Sequence, residues 1–221
     1  MEFIRGNREL AVRTLADRLV FELIHGKKVL WALPGGSNIA LAAAAFAILR
    51  EKTPKELANL SVVLGDERYG EPGHEDSNWR QLSEAGFDLS VVRGTPVLCG
   101  LSLEETVERY ESEYKRLCKD SDIVIGQFGI GADSHIAGVL PGSVAVGSER
   151  LVEAYEASRY TRITLTLKAI RKMDAAYAFV FGESKKEAVA GLRREGQDVS
   201  ESPASALREL KEAFLISDQV E

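Results

Sequence analysis

The chain has 221 residues, a formal net charge of −6, and apolar (45%) and charged (28%) fractions that place it among ordinary globular proteins. The negative charge excludes general nucleic-acid affinity, which depends on Lys and Arg neutralising phosphates, and no run approaches the ~20 apolar residues that cross a bilayer. Met1-Glu2-Phe3-Ile4-Arg5 lacks the layout of a secretory leader, and Cys99 and Cys118 show neither metal-ligand spacing nor a disulfide framework. The expected compartment is therefore the reducing cytoplasm.

Asn7 is placed to cap a helix in which Ala11, Leu15, Leu19 and Leu23 form an i, i+4 row ending at Gly26. Lys28 to Leu33 reads as a strand broken by Pro34-Gly35-Gly36-Ser37-Asn38, with an alanine-rich helix from Ile39 to about Arg50. Strand, glycine pair, hydroxyl and helix in that order make an anion-binding arrangement, because backbone N–H groups point outward at a positive helix end. Taken alone, the same residues also make a tight turn with a serine cap.

A second strand, Ser61 to Leu64, runs into Gly65-Asp66-Glu67-Arg68-Tyr69. Those charges are either a solvated strand end or part of a site. The polar loop Gly70 to Asp76 carries His74, expected at the surface, and Ser77-Asn78 cap a helix to about Ala85. Ser102 with Glu105 forms a capping box for a helix to about Leu117, whose charged run is a solvated face.

The apolar run Ile123-Val124-Ile125 then exits through Gly126 to Ser143, where glycines crowd and Asp133 and His135 sit two residues apart. Glycine permits positive φ and close backbone approach, and strand-exit loops of open α/β sheets carry their chemistry. This is the expected active-site loop. Val144 to Ser158 has no clear pattern. Arg162 to Leu167 reads as a strand entering a short helix, and Ala175 to Phe181 as a strand closed by Gly182. Lys185 and Lys186 stand in the first turns of a helix from Glu183 to Leu192, where they oppose the helix dipole and so suggest another use. Arg193 to Ser202 is an expected mobile loop, Pro203 opens a final helix, and Ala213 to Ser217 is a last strand. Alternating strands and helices predict an α/β, Rossmann-like three-layer sandwich with a mostly parallel sheet, in one domain over residues 1–221.

As an ordered set, these segments resemble the family of 6-phosphogluconolactonases and glucosamine-6-phosphate isomerases/deaminases. Leu33 to Ser37 is similar to its glycine-glycine-serine phosphate loop, and Asp66-Glu67-Arg68 with Ser77-Asn78 to the lactonase's acidic strand end and Ser-Asn pair. Gly129 to His135 with Pro141-Gly142 looks like the Gly-x-Gly-x-Asp-Gly-His signature, and Arg162 to Thr166 and Gly182 to Lys185 match two further segments. Ser134 departs from the usual glycine, Ala132 from proline and Asn38-Ile39 from Thr-Pro; a serine at 134 is strained if the turn needs positive φ. Leu140 stands where deaminases carry a glutamate, and Arg68 where they more often have tyrosine, which favours the lactonase branch.

The resemblance implies hydrolysis of a cyclic ester of a sugar phosphate, with no metal or organic cofactor. His135, reference pKa ~6.5, accepts a proton from attacking water. Asp133 orients the ring or binds a hydroxyl, and Asp66 is a second acid–base or hydroxyl-binding group. Gly35, Gly36, Ser37, Arg162 and Lys185 are the phosphate candidates, with Arg68, Asn78 and Gly131 completing the expected substrate contacts. The alternatives are an amino-sugar-phosphate deaminase with Asp66 as base, and a non-catalytic sugar-phosphate sensor. No sequence feature marks a protein partner.

Overall fold

The computed structural model describes residues 1–220. Strand β1 (Glu2–Arg5) passes Gly6 and the cap Asn7, whose side chain accepts a 2.9 Å hydrogen bond from the Leu10 N–H, into α1 (Arg8–Ile24). Strand β2 (Val29–Leu33) exits through a 3₁₀ turn, Gly36–Asn38, into α2 (Ile39–Lys52). Then β3 (Leu60–Leu64) and β4 (Asp66–Arg68) follow with Gly65 between them, and Ser77 caps α3 (Asn78–Glu84). The two-residue β5 (Arg93–Gly94) precedes α4 (Leu103–Asp120), which opens with the expected capping box. Next come β6 (Ile123–Phe128), α5 (Val144–Gly147), β7 (Val152–Ala157), β8 (Tyr160–Leu165) and α6 (Leu167–Ile170). Finally β9 (Ala175–Val180) leads through a 3₁₀ turn, Glu183–Lys185, into α7 (Lys186–Arg193), and a second 3₁₀ segment, Pro203–Glu209, into β10 (Glu212–Ser217).

Seven strands form one sheet in the order β1-β10-β9-β6-β2-β3-β5, and every pairing in it is parallel. Helices flank it to give the α/β, Rossmann-like three-layer sandwich. Strands covered on both faces have no solvated side to alternate toward, so β2, β3, β6 and β9 are buried at every residue. Trp31 of β2 packs on Phe87, which stacks on Phe46 of α2 at 4.1 Å between centroids.

Parallel pairing brings every carboxyl end of the sheet to one edge. From β2 the order runs to β3 and β5 on one side, and from β6 to β9 and β10 on the other. The crevice between β2 and β6 is thus the topological switch point, where open α/β sheets place ligands. A second, antiparallel sheet β4-β8-β7 stands beside it, with Asp66 opposite Thr164 and Arg68 opposite Arg162.

The structure differs from the sequence reading in identifiable places. β6 continues through Gly126 to Phe128, so the active-site loop begins at Gly129. The patternless stretch holds α5 and β7, and the last helix is 3₁₀. Within the segment expected to be mobile, the Ser200 carbonyl accepts the Gly142 N–H at 2.8 Å. No helix among the described residues is long and apolar enough to cross a membrane.

Candidate active site

A cleft at the carboxyl edge of the large sheet is lined from the exits of β1, β2, β3, β6 and β9, with Arg162 of β8 joining them. Of the residues expected from sequence, Gly35, Gly36, Ser37, Asp66, Arg68, Gly131, His135, Arg162 and Lys185 all face it. Asp133 reaches it through His135. Asn78 does not line it.

The loop after β6 folds back on itself. Ile130 bridges Ile136, the Gly131 N–H donates to the His135 carbonyl at 3.0 Å, and the Ser134 N–H donates to the Gly131 carbonyl at 3.0 Å. This tight return sets His135 Nδ1 2.6 Å from Asp133 Oδ1, which also accepts the His135 backbone N–H at 3.2 Å. A β-carbon on Gly131 would collide with both the His135 ring and the Asp133 carboxylate, so only glycine lets the pair close over it. Ser134, where the turn reverses, has φ +64°, the left-handed conformation that costs a non-glycine residue. Burial pushes the Asp133 carboxyl up, but the charge of His135 and the hydrogen bonds from its backbone and ring outweigh it. The carboxyl titrates below its ordinary range.

Opposite lies the Asp66 group. Asp66 is 6% exposed and its Oδ2 meets Arg162 Nη1 at 3.2 Å. Burial raises its carboxyl above the usual carboxylate range, against the pull of Arg162, Arg68 and His135. The pairing of Arg68 with Arg162 sets like charges directly across two strands, an unfavourable arrangement that Asp66 offsets. Arg68 is further held by the Asp76 carbonyl at 2.6 Å and lies 5.5 Å over the Tyr160 ring. Behind them, the buried Tyr110 hydroxyl accepts from the Leu64 N–H at 2.8 Å and donates to the Leu64 carbonyl at 2.9 Å, fixing the strand end that delivers Asp66.

The sequence left Glu67 without a role, and the structure supplies one. It is fully buried, and its carboxylate accepts the N–H groups of Asn78 (2.7 Å), Trp79 (3.1 Å) and Arg68 (2.8 Å) and the Ser77 hydroxyl (2.9 Å). It therefore ties the start of α3 to β4 as a carboxylate at a positive helix end. Burial raises its pKa against these bonds. Asn78, an expected substrate contact, is fully buried and does not line the cleft. Its side chain donates to the Asp66 carbonyl at 2.8 Å and packs where a β-carbon on Gly35 would come within 2.5 Å, so it props the loops from behind. His74 is half-buried rather than free at the surface, with Nε2 2.9 Å from the Arg68 carbonyl.

The β2 exit supplies an exposed turn. Gly36 has φ +61°, Ser37 is open to solvent, and buried Asn38 donates to the Phe179 carbonyl at 3.1 Å, lashing the turn to β9. Lys185 stands before α7, in the 3₁₀ turn, and faces the cleft. One lining residue was not expected: Arg8, the first residue of α1, whose guanidinium lies 5.3 Å over the Phe181 ring. Nothing local in the sequence marks it, because the four-residue strand that delivers it went unread. Among the described residues no group of three or more His, Cys, Asp or Glu is arranged to hold a metal.

The chain is 26% identical over 186 residues to a 6-phosphogluconolactonase of Synechocystis sp., covering 78% of this chain and 75% of that protein. It is 25% identical over 227 residues to a glucosamine-6-phosphate deaminase of Lacticaseibacillus paracasei, covering 93% and 92%. Its fold matches that of a 6-phosphogluconolactonase from Shewanella baltica with a TM-score of 0.79 at 21% identity, over 98% of this chain and 97% of that one. A monomeric glucosamine-6-phosphate deaminase matches with a TM-score of 0.80 at 21% identity, over 99% and 98%. Residues 8–216 match the family described as glucosamine-6-phosphate isomerases/6-phosphogluconolactonase. With nearly its whole length matched, the chain belongs to this family.

Proposed function

We propose that the protein is a cytoplasmic 6-phosphogluconolactonase that hydrolyses 6-phospho-D-glucono-1,5-lactone to 6-phosphogluconate, a step of the oxidative pentose phosphate pathway. The observation that carries this reading is the His135–Asp133 pair at 2.6 Å on the wall of a cleft rich in basic side chains. With Nδ1 donating to the carboxylate, Nε2 is the nitrogen left to accept a proton from water. Water adds to the lactone carbonyl as His135 takes its proton, and negative charge builds on the carbonyl oxygen, where N–H donors stabilise it. The ring C–O bond then breaks, and the proton held by His135 passes to the departing ring oxygen, leaving a carboxylic acid that ionises. Arg162, Lys185 and the Gly35-Gly36-Ser37 turn take the phosphate, where a guanidinium fork suits its oxygens. Asp66, held by Arg162, accepts a sugar hydroxyl, and no metal or organic cofactor takes part.

A second reading, deamination of glucosamine 6-phosphate, draws on the deaminase relatives and would use Asp66 as the carbon base. Leu140 weighs against it: the side chain does not titrate and does not line the cleft. The deciding experiment is acid release from freshly generated 6-phosphogluconolactone above its spontaneous rate, with His135→Ala beside the parent. Acceleration lost in the variant is the expected result. A folded parent that releases ammonia from glucosamine 6-phosphate and leaves the lactone alone would replace this reading with the second, and binding of 6-phosphogluconate with neither activity would make the protein a sensor.

A further inference from the structure

Five strand exits reach the cleft, and the one from β1 contributes a residue without a role in the mechanism above. Gly6, whose N–H donates to the Ser217 carbonyl at 2.9 Å, and Asn7, which caps α1, place Arg8 at the first helical position. Its guanidinium lies over the ring of Phe181, the residue that precedes Gly182 and the turn carrying Lys185. The phosphate-loop candidate is tied to the strand that leads there, since Asn38 donates to the carbonyl of Phe179, two residues before Phe181. Arg8, Lys185 and the Gly36-Ser37 turn therefore line one cleft, from the exits of β1, β9 and β2.

The cations that line the cleft differ in kind. Arg162 is matched by Asp66, whereas neither Arg8 nor Lys185 has a carboxylate within ion-pair distance among the described residues. The neighbouring Lys186 faces Glu183 instead, and Arg13, five residues along α1 from Arg8, is matched by Glu9 at 2.9 Å. The guanidinium's contact with the Phe181 ring is of the cation–π kind, which leaves its N–H groups able to donate elsewhere. Unmatched cations facing one cleft, in a protein of net charge −6, are suited to a doubly charged anion.

We propose that Arg8 is a specificity-determining residue for the phosphate end of the substrate, closing over the phosphoryl oxygens from the side opposite the Gly36-Ser37 turn. The inference rests on the sugar-phosphate reading above but not on which reaction follows binding. Its side chain is exposed, so its removal leaves the core intact.

The test is calorimetric binding of 6-phosphogluconate and of gluconate to the parent, Arg8→Gln, Arg8→Lys and Arg13→Gln, with KM and kcat on the lactone alongside. Arg8→Gln should weaken 6-phosphogluconate about tenfold, the value of one charge-assisted hydrogen bond. The kinetic loss should fall on KM rather than kcat. Arg8→Lys should recover part of the affinity, and neither Arg13→Gln nor any Arg8 variant should alter gluconate binding. A parent that binds 6-phosphogluconate tightly and an Arg8→Gln variant that binds it equally well would overturn the inference while leaving the lactonase intact. Equal losses in Arg8→Gln and Arg13→Gln, or a parent that binds no 6-phosphogluconate, would overturn it as well. An Arg8-dependent affinity in a parent without lactone turnover supports the inference and removes only the lactonase.

Discussion

His135 Nδ1 and Asp133 Oδ1 lie 2.6 Å apart, directly over Gly131, whose missing side chain is what makes room for them. Gly131→Ala should therefore separate the pair without touching either partner. We expect kcat to fall by about 10² or more, the scale of a positioned acid–base group, while the thermal midpoint and far-UV circular dichroism show a folded protein. Near-parental kcat would mean that the pair is not what drives turnover.

The depressed pKa of Asp133 fixes how its contribution depends on pH. A carboxyl whose folded pKa lies below its unfolded value, ordinarily 3.8, stabilises the fold above that ordinary value and loses the contribution as pH falls through the folded pKa. Asp133→Asn should accordingly narrow the gap to the parent on acidification below about pH 4. Urea melts at pH 3 and pH 6 measure it, and a gap that widens in acid would contradict the assignment.

Asp66 titrates in the opposite sense. Its folded pKa is raised, so the folded state favours the protonated form, and stability from this group is fully present below the ordinary value of 3.8 and lost as pH rises through the folded pKa. Arg162→Met removes the partner that restrains this rise. The variant should be nearly as stable as the parent in acid and about 3 kcal/mol less stable near neutrality, the scale of removing one partner from a buried ion pair. A pH-independent deficit would point to lost packing alone.

Ser134 occupies φ +64° with a side chain that the turn does not favour. Ser134→Gly should stabilise the protein by about 0.5–1 kcal/mol, the left-handed penalty less the added freedom of glycine in the unfolded chain. Chemical denaturation checks this, and a destabilised variant would show that the serine has found compensating contacts.

Much of the site was legible because its residues announce local chemistry. The glycine pair before Ser37, the Asp133–His135 spacing and the acidic stretch after β3 each depend on neighbours in the chain, and loop order followed from the alternation of strands and helices. The unread parts depend on distant partners. β1 is four residues that become a strand only by pairing with β10 some two hundred positions later, so Arg8 carried no signal. β7 pairs antiparallel with β8 outside the main sheet, and its half-buried residues give no apolar run. Asn78 and Glu67 looked like substrate contacts or a solvated end because sequence shows that a polar residue is near a site, not which way it faces.

The pairing of the first strand with the last also has a temporal meaning. As the chain leaves the ribosome, β1 and the Arg8 that follows it have no sheet to join until Glu212–Ser217 has emerged. The His135 loop, the phosphate turn and the acidic strand end are all made before that point, so the wall of the cleft that Arg8 provides is set last. Nascent chains stalled before β10 should then hold most of the cleft's side chains and still lack its β1 wall, which makes completion of the cleft a late event in synthesis.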